Sequence, residues 1–398
     1  MKILWISRWD SRRPADGQLL YSEGLISSLE ALGADITTLA TARADGGSME
    51  PSPGRTILPP ARSPRPLSLL SANTADAFKQ ATGAFAAAVD QALGQNPTVV
   101  IFDYYATGWA LDTVRKHCAA MGAKRPLVVY LSHNHEASIR RDVANGYQGN
   151  PLMRAIVRHD AKKAAVMENA LVAAADVVAT NTDEDAALYR SAAPNKRFIT
   201  VTPAYSGAQR AAGAITTTTS RRVIMMGSLL WIAKQENLRR FITAAHGRFL
   251  AANIELYVLG RSDPAFLRSI ERQSSVVRAL GFIDDPLPYL YDSRVGLMPD
   301  ELGGGFKHRV VNYVFNGVPV AAIRSQAAGL PLDFDHDIIA GDNVNELVDG
   351  IIAVFDDIER LNAMATRALD KCRNKFDWQS RGQLLLDTIA DAHRHLVD

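Results

Sequence analysis

Cysteine is nearly missing from this chain. Only Cys118 and Cys372 carry thiols among 398 residues, too few and too far apart for a disulfide framework or a cysteine-held metal cluster. Long apolar runs are missing as well: no stretch reaches the roughly 20 residues that a membrane-spanning helix needs. The opening MKILWISRWD breaks at Ser7 and Arg8, too early for a signal peptide and suited to a first strand. No excess of one charge is present, and a net charge of +2 argues against nucleic acid as a partner. These absences lead us to expect a cytoplasmic location. What is there, 47% apolar and 22% charged residues, is the composition of a globular chain long enough for two hydrophobic cores.

Short apolar strands alternate with helical patterns along the whole chain. Lys2 to Ser7 reads as a strand, Leu19 to Leu32 as a helix stopped by Gly33, and Ile36 to Leu39 as the next strand. The loop between the first two holds a single glycine, Gly17, with Arg8, Arg12 and Arg13, and is expected to border a cleft. Residues 43 to 66 read as irregular, and Ala75 to Leu93 as one alanine-rich helix. Thr98 to Asp103 and Pro126 to Ser132 are apolar strands of the buried parallel kind. Both end in polar clusters, at the edge where open α/β sheets bind ligands.

Pro151 to Ala174 reads as a long helix with Arg154, Arg158, Lys162 and Lys163 on one side and Ile156, Val157, Val166 and Leu171 buried. Such a basic face is usually just solvated. With Arg140 and Arg141 nearby, it is also a candidate for anionic lipid headgroups, worth about 1 kcal/mol per basic residue near a membrane. Val177 to Thr180 and Ile199 to Val201 are further strands. Residues 204–221 are poor in bulky apolar side chains and read as a linker.

A second alternation begins at Arg222. Val223 to Met226 is a strand, Gly227-Ser228 a turn, Asn237 to Phe249 a helix, Ile254 to Gly260 a strand and Phe266 to Gln273 a helix. Later, Val295 to Met298 and Val318 to Ile323 flank PDELGGGFKHRVVNYVFNGVPV. There a glycine loop opens a helix running from Phe306 to Phe315. Three consecutive glycines let the backbone approach a ligand closely, and the first helical turn offers free N–H groups and a positive dipole end. The natural guest is an anion, which would also relieve Lys307 in that first turn. Leu347 to Phe355, Ile358 to Cys372 and a final helix from Phe376 complete the pattern.

The run built from Gly303, Gly305, Lys307, Arg309, Asn312, Gly317, Pro319 and Val320 resembles the donor-binding signature of bacterial glycosyltransferases of the GT-B fold, family 4 in particular. That resemblance implies an α/β protein of two Rossmann-like domains facing each other across a cleft. Residues 1–203 would form an acceptor-binding domain, 204–221 the linker, 222–375 a nucleotide-sugar domain and 376–398 a helix crossing back to the first. Several positions depart from the family: Gly304 stands where a second Glu usually lies near the sugar, and Lys234 lies one position off the usual spacing. Asn312 stands where a Glu usually holds the ribose hydroxyls, and a neutral amide makes the weaker hydrogen bond there. Ser228 stands where an Arg usually follows the glycine, in a Gly-Ser-x-x-Trp pattern that resembles a subgroup.

By the same resemblance, the pyrophosphate charge falls to Lys234, Arg261 and Lys307, with Gly227, Gly303, Gly304 and Gly305 giving close approach and Phe306 entering the helix. Phe282, in the run Gly281 to Asp285, falls where relatives hold the base by main-chain contacts; simple core packing is the other reading. His133 falls where a family histidine faces the donor sugar. His135 and Glu136 either shape the acceptor site, with Gly17, or cap the following helix. Zinc at the His-x-His pair is disfavoured because no third His or Cys accompanies it. The acids of Asn181 to Asp185 are read as an N-cap with dipole-favoured acids rather than a metal motif, and Asp335-His336-Asp337 is likewise set aside as a metal motif.

The expected activity is transfer of a sugar from a nucleotide diphosphate sugar to a glycan, lipid-linked or other acceptor, with retention, no metal and no other cofactor. A peripheral contact with the inner membrane would suit a lipid-linked acceptor. Two rivals share the fold: a nucleotide-sugar epimerase, using carboxylates such as Glu136 and Glu301, and a non-catalytic sugar-nucleotide-binding protein.

Overall fold

The computed structural model describes residues 1–12, 17–43, 52–147, 149–205, 207, 209–210, 215–301, 308–327 and 330–397. The chain divides into two compact units. Met1–Ala204 and Trp378–Asp398 fall in one, and Tyr205–Gly303 and Lys307–Asp377 in the other.

The first unit is built on seven strands: β1 (Lys2–Trp9), β2 (Asp35–Thr41), β3 (Arg55–Leu58), β4 (Val99–Asp103), β5 (Leu127–Leu131), β6 (Val177–Thr180) and β7 (Arg197–Thr200). They form one parallel sheet in the order β3-β2-β1-β4-β5-β6-β7. Its helices are α1 (Gly17–Ala31), α2 (Ala75–Phe78), α3 (Gly83–Leu93), α4 (Leu111–Met121), α5 (Glu136–Gly146), α6 (Pro151–Ala174) and α7 (Asp183–Ala192). Every residue of β4 and β5 is buried, as expected of strands covered by helices on both faces. Chain order reverses between β1 and β4, which makes the carboxyl ends of those strands a switch-point crevice.

Two expectations need correcting here. The stretch 43–66 contains β3, a strand of only four residues that forms by pairing with β2. The alanine-rich segment is two helices, because Thr82 turns away to cap α3, its side chain accepting the Phe85 N–H, while Thr74 caps α2 in the same way.

Among the described residues the second unit has six strands: β8 (Arg222–Met226), β9 (Glu255–Leu259), β10 (Val277–Gly281), β11 (Val295–Met298), β12 (Val320–Ile323) and β13 (Ile339–Gly341). They too are parallel, in the order β10-β9-β8-β11-β12-β13. The helices are α8 (Ile232–Ala251), α9 (Pro264–Gln273), α10 (Leu287–Tyr291), α11 (His308–Phe315), α12 (Val344–Val354) and α13 (Ile358–Cys372). Leu238, Phe241 and Phe249 of α8 pack with Leu347 and Ile351 of α12 over β8 and β9. Ile215, within the segment read as a linker, is buried in this core.

The last helix, α14 (Trp378–Val397), packs in the first unit. Its Leu385 and Ile389 are fully buried with Leu25 and Leu29 of α1 and Val177 of β6. Glycine makes this approach possible. A Cβ on Gly24 would lie 2.4 Å from the Trp378 ring, and one on Gly382 would lie 2.1 Å from Ser28 Oγ. Ser28 Oγ uses the closeness to donate to Trp378 O at 2.8 Å.

Candidate functional site

At the carboxyl edge of the first sheet, three neighbouring strands bring their ends together. Asp103 closes β4, His133 lies two residues beyond β5, and Trp5 and Ser7 belong to β1. His133 Nε2 lies 2.6 Å from Asp103 Oδ1. The other carboxylate oxygen accepts from Trp5 Nε1 at 2.9 Å and Ser7 Oγ at 3.0 Å. Both partners are nearly inaccessible, His133 at 4% and Asp103 at 1% exposure. A carboxylate oxygen only accepts, so Nε2 carries the hydrogen and Nδ1 is left for other chemistry. The ring is clamped edge-on by Tyr21 and Tyr104, with centroids at 5.3 and 5.7 Å. Tyr104 sits at φ +82°, a strained conformation for a bulky residue and of the kind that gathers at functional sites.

The residues after His133 are tied into the scaffold. His135 caps α5: its Nδ1 accepts the Ser138 N–H, and its ring lies 4.6 Å from that of Tyr189. Burial lowers its pKa. Glu136 is buried and accepts from Asn134 Nδ2 at 3.0 Å and Arg140 Nε at 2.7 Å. Arg140 is the hub of a web, also reaching Asp76 at 2.9 Å and Asp160 at 3.1 Å. It is therefore withdrawn from the basic surface on which we expected it. Beneath α5, the fully buried Glu168 receives the N–H groups of Glu136 and Ala137 and the hydroxyls of Tyr130 and Tyr189. Burial raises its pKa to about 7. Gly17 is the first residue of α1.

In the second unit the corresponding edge is glycine-lined. Gly227 follows β8 at φ +128° and Gly260 follows β9 at φ +141°. They touch: a Cβ on Gly260 would lie 2.0 Å from Gly227 O. Arg309, in the first turn of α11, lays its guanidinium beside this turn, with Nε 3.3 Å from where a Gly227 Cβ would stand. Its Nη1 is buried and finds no hydrogen-bond partner among the described residues.

Tyr313 fixes α11 in this position. Its ring packs on Gly296, where a Cβ would come within 2.5 Å, and its hydroxyl accepts the Met226 N–H at 2.9 Å. A half-buried cation with one buried, unpaired guanidinium nitrogen, next to an exposed glycine turn, is a place for an anion.

The other expected donor residues are placed as follows. Ser228 is half-buried in the turn after β8, and Lys234 lies partly buried in the first turn of α8. Arg261 follows Gly260, and its guanidinium stacks over the Phe282 ring at 4.8 Å. Phe282 is 59% exposed, so core packing is not its role. Asn312 Oδ1 accepts from Asn316 Nδ2 at 2.8 Å. Gly303, Gly304, Gly305, Phe306 and Lys307 lie outside the described residues. Glu301 accepts the Val344 N–H at the start of α12 and faces Arg240, while Glu136 is held by Arg140, so both carboxylates suggested for an epimerase have structural work.

Residues 220–357 match the family model described as "Glycosyl transferases group 1". The match falls within the second unit, over its strands β8 to β13. The fold is that of the GT-B class, as expected from the sequence. The structure of Anabaena HepE with UDP and glucose aligns at TM-score 0.62 and 14% identity, covering 98% of this chain and 100% of that one.

WaaG, a glycosyltransferase of lipopolysaccharide biosynthesis, aligns at TM-score 0.63 and 13% identity over 97% and 99% of the two chains. The catalytic domain of starch synthase IV from Arabidopsis thaliana, bound to ADP and acarbose, aligns at TM-score 0.65 and 13% identity over 99% of each chain. No curated protein sequence matches this chain. Among its described residues no group of His, Cys, Asp and Glu is arranged to hold a metal ion.

Two residues of the site carry little signal in the sequence. Asp103 shows only as an acid ending an otherwise apolar strand. Arg309 belongs to the family-like run, and nothing local shows its side chain turning back toward Gly227.

Proposed function

We infer that this glycosyltransferase moves a sugar from a nucleoside diphosphate sugar to a glycan or lipid-linked acceptor, with retention at the anomeric carbon and without a metal. The observation that carries the reading is the buried, unpaired edge of Arg309 beside the Gly227 turn, in a unit that matches the group 1 family. A leaving nucleoside diphosphate gains charge as the sugar bond breaks, and fixed donors aimed at it lower the barrier. Arg309 supplies such donors, and Arg261, which follows Gly260, stacks on Phe282, whose exposed ring is offered to the base. Asn312 takes the ribose contact that a Glu makes in the family. His133, held by Asp103 through Nε2, presents Nδ1 as a fixed acceptor for a sugar hydroxyl. With no protein nucleophile assigned, positioning is left to supply much of the rate.

HepE bound to UDP and to glucose favours a uridine donor as the first to test. The reading places the protein in the cytoplasm, where nucleotide sugars are made, with a lipid-linked acceptor reached by peripheral membrane contact. Thermal unfolding with a panel of nucleoside diphosphates and their sugars tests it. A ligand at 100 times its dissociation constant stabilises by about 2.7 kcal/mol. Transfer or hydrolysis of the stabilising donor should then persist in a chelator. Absence of a shift with every donor overturns the reading.

A further inference from the structure

We propose that the first unit docks on an anionic lipid surface through one face formed by the 3-10 turn Arg65–Leu70 and the solvent side of α6. The two segments are joined: Lys163 Nζ of α6 donates to Ser68 O at 2.7 Å and Leu69 O at 3.3 Å. Around that junction large apolar side chains stand in solvent, Leu70 at 90%, Val166 at 72% and Leu67 at 47% exposure. Val166, expected from the helical pattern to be buried, is instead on the outer stripe of α6. Singly, exposed apolar residues are ordinary; three on two tethered segments form a patch.

The charge around them has one sign. Arg62, Arg158 and Lys162 are exposed. No acid occurs from residue 51 to residue 75. The two acids of α6 are turned inward: Asp160 binds Arg140 and the Ala75 N–H, and Glu168 is fully buried. Apolar side chains rimmed by cations, with no exposed acid on either segment, are complementary to headgroup phosphates over acyl chains. A soluble protein partner of ordinary mixed charge would leave these cations unmatched, so the lipid surface is the occupant the pattern favours. The proposal deepens the reading of a lipid-linked acceptor and rests on it only for its purpose.

Flotation of the full chain with phosphatidylglycerol vesicles and with phosphatidylcholine vesicles tests it without donor or turnover, so its failure is separate from failure of the transferase reading. Binding is expected to the anionic vesicles only and to weaken as salt rises from 0.05 to about 0.5 M. R158Q/K162Q and L67S/L70S/V166S should each lower the partition coefficient about tenfold or more. These positions face solvent, so thermal unfolding should be unchanged. Equal binding to both vesicle types, no binding to either, or variants that bind as the wild type would overturn the proposal. So would a dimer in sedimentation velocity that the triple serine variant dissociates, because a second copy would then be the occupant.

Discussion

Asp103 and His133 are joined across the ends of two adjacent strands, Oδ1 to Nε2 at 2.6 Å, with Trp5 and Ser7 of a third strand holding the same carboxylate. The pairing follows from sheet register: Asp103 stands opposite Leu131 on β5, and His133 lies two residues further on. If the carboxylate fixes the ring, D103N should lower kcat roughly 100-fold, within the range for a positioned acid or base. The donor KM should change little, and D103N/H133A should be no slower than H133A alone, as expected of residues acting as a unit. A fully additive double variant would separate the two roles.

Arg309 has a buried guanidinium edge with no hydrogen-bond partner among the described residues, an arrangement that costs stability until an anion arrives. R309A should weaken binding of the stabilising nucleoside diphosphate about 10- to 100-fold, the range for loss of a charge-assisted hydrogen bond. Its melting temperature without ligand should hold or rise. Calorimetric titration and thermal unfolding together check this. Unchanged affinity would place the diphosphate elsewhere.

Gly260 cannot carry a side chain without moving Gly227, since its Cβ would come 2.0 Å from the Gly227 carbonyl oxygen at φ +141°. G260A should destabilise the second unit by about 3 kcal/mol or more. It should also lose nucleotide binding, because the Gly227 turn must shift. Urea unfolding gives the first quantity. A loss below about 1 kcal/mol would mean that the turn yields more easily than the packing implies.

Glu168 makes stability depend on pH. Burial raises its pKa from 4.5 to about 7, so between those values the folded chain keeps a proton that the unfolded chain has lost. Stability contributed by this group therefore falls as pH rises through that window and levels off above it. E168Q should flatten this part of the profile while costing about 1–3 kcal/mol near pH 5, since an amide cannot accept from all four donors. Urea midpoints of both proteins from pH 4.5 to 8 measure the difference.

Elements with strong patterns were legible in the sequence with their ends: Pro151–Ala174, Val177–Thr180 and Ile358–Cys372 are helix, strand and helix with those bounds. Their caps and apolar periods are local properties. β3 and β10 were not legible, being four and five residues long with mixed burial; they are strands because a neighbour offers hydrogen bonds. The outward turn of Val166 was hidden because α6 buries small residues, Ala161 and Ala164, against its neighbours.

At the candidate site, the position of His133 after an apolar strand could be read directly. Its bond to Asp103 could not, since it depends on which strands lie side by side. Arg309 was hidden for the same reason, as its meeting with Gly227 is made by Tyr313 seating α11 against Gly296.

The seating of α14 against α1 through Gly24 and Gly382 sets an order of events during synthesis. The face of the first sheet that Leu385 and Ile389 share with α1 lacks this second covering helix until the entire second unit has left the ribosome. At 5–20 residues per second, the 173 residues from Tyr205 to Asp377 leave that apolar face waiting for about 10 to 35 seconds. The first unit is begun first and finished last, and the nascent chain must be shielded over that interval.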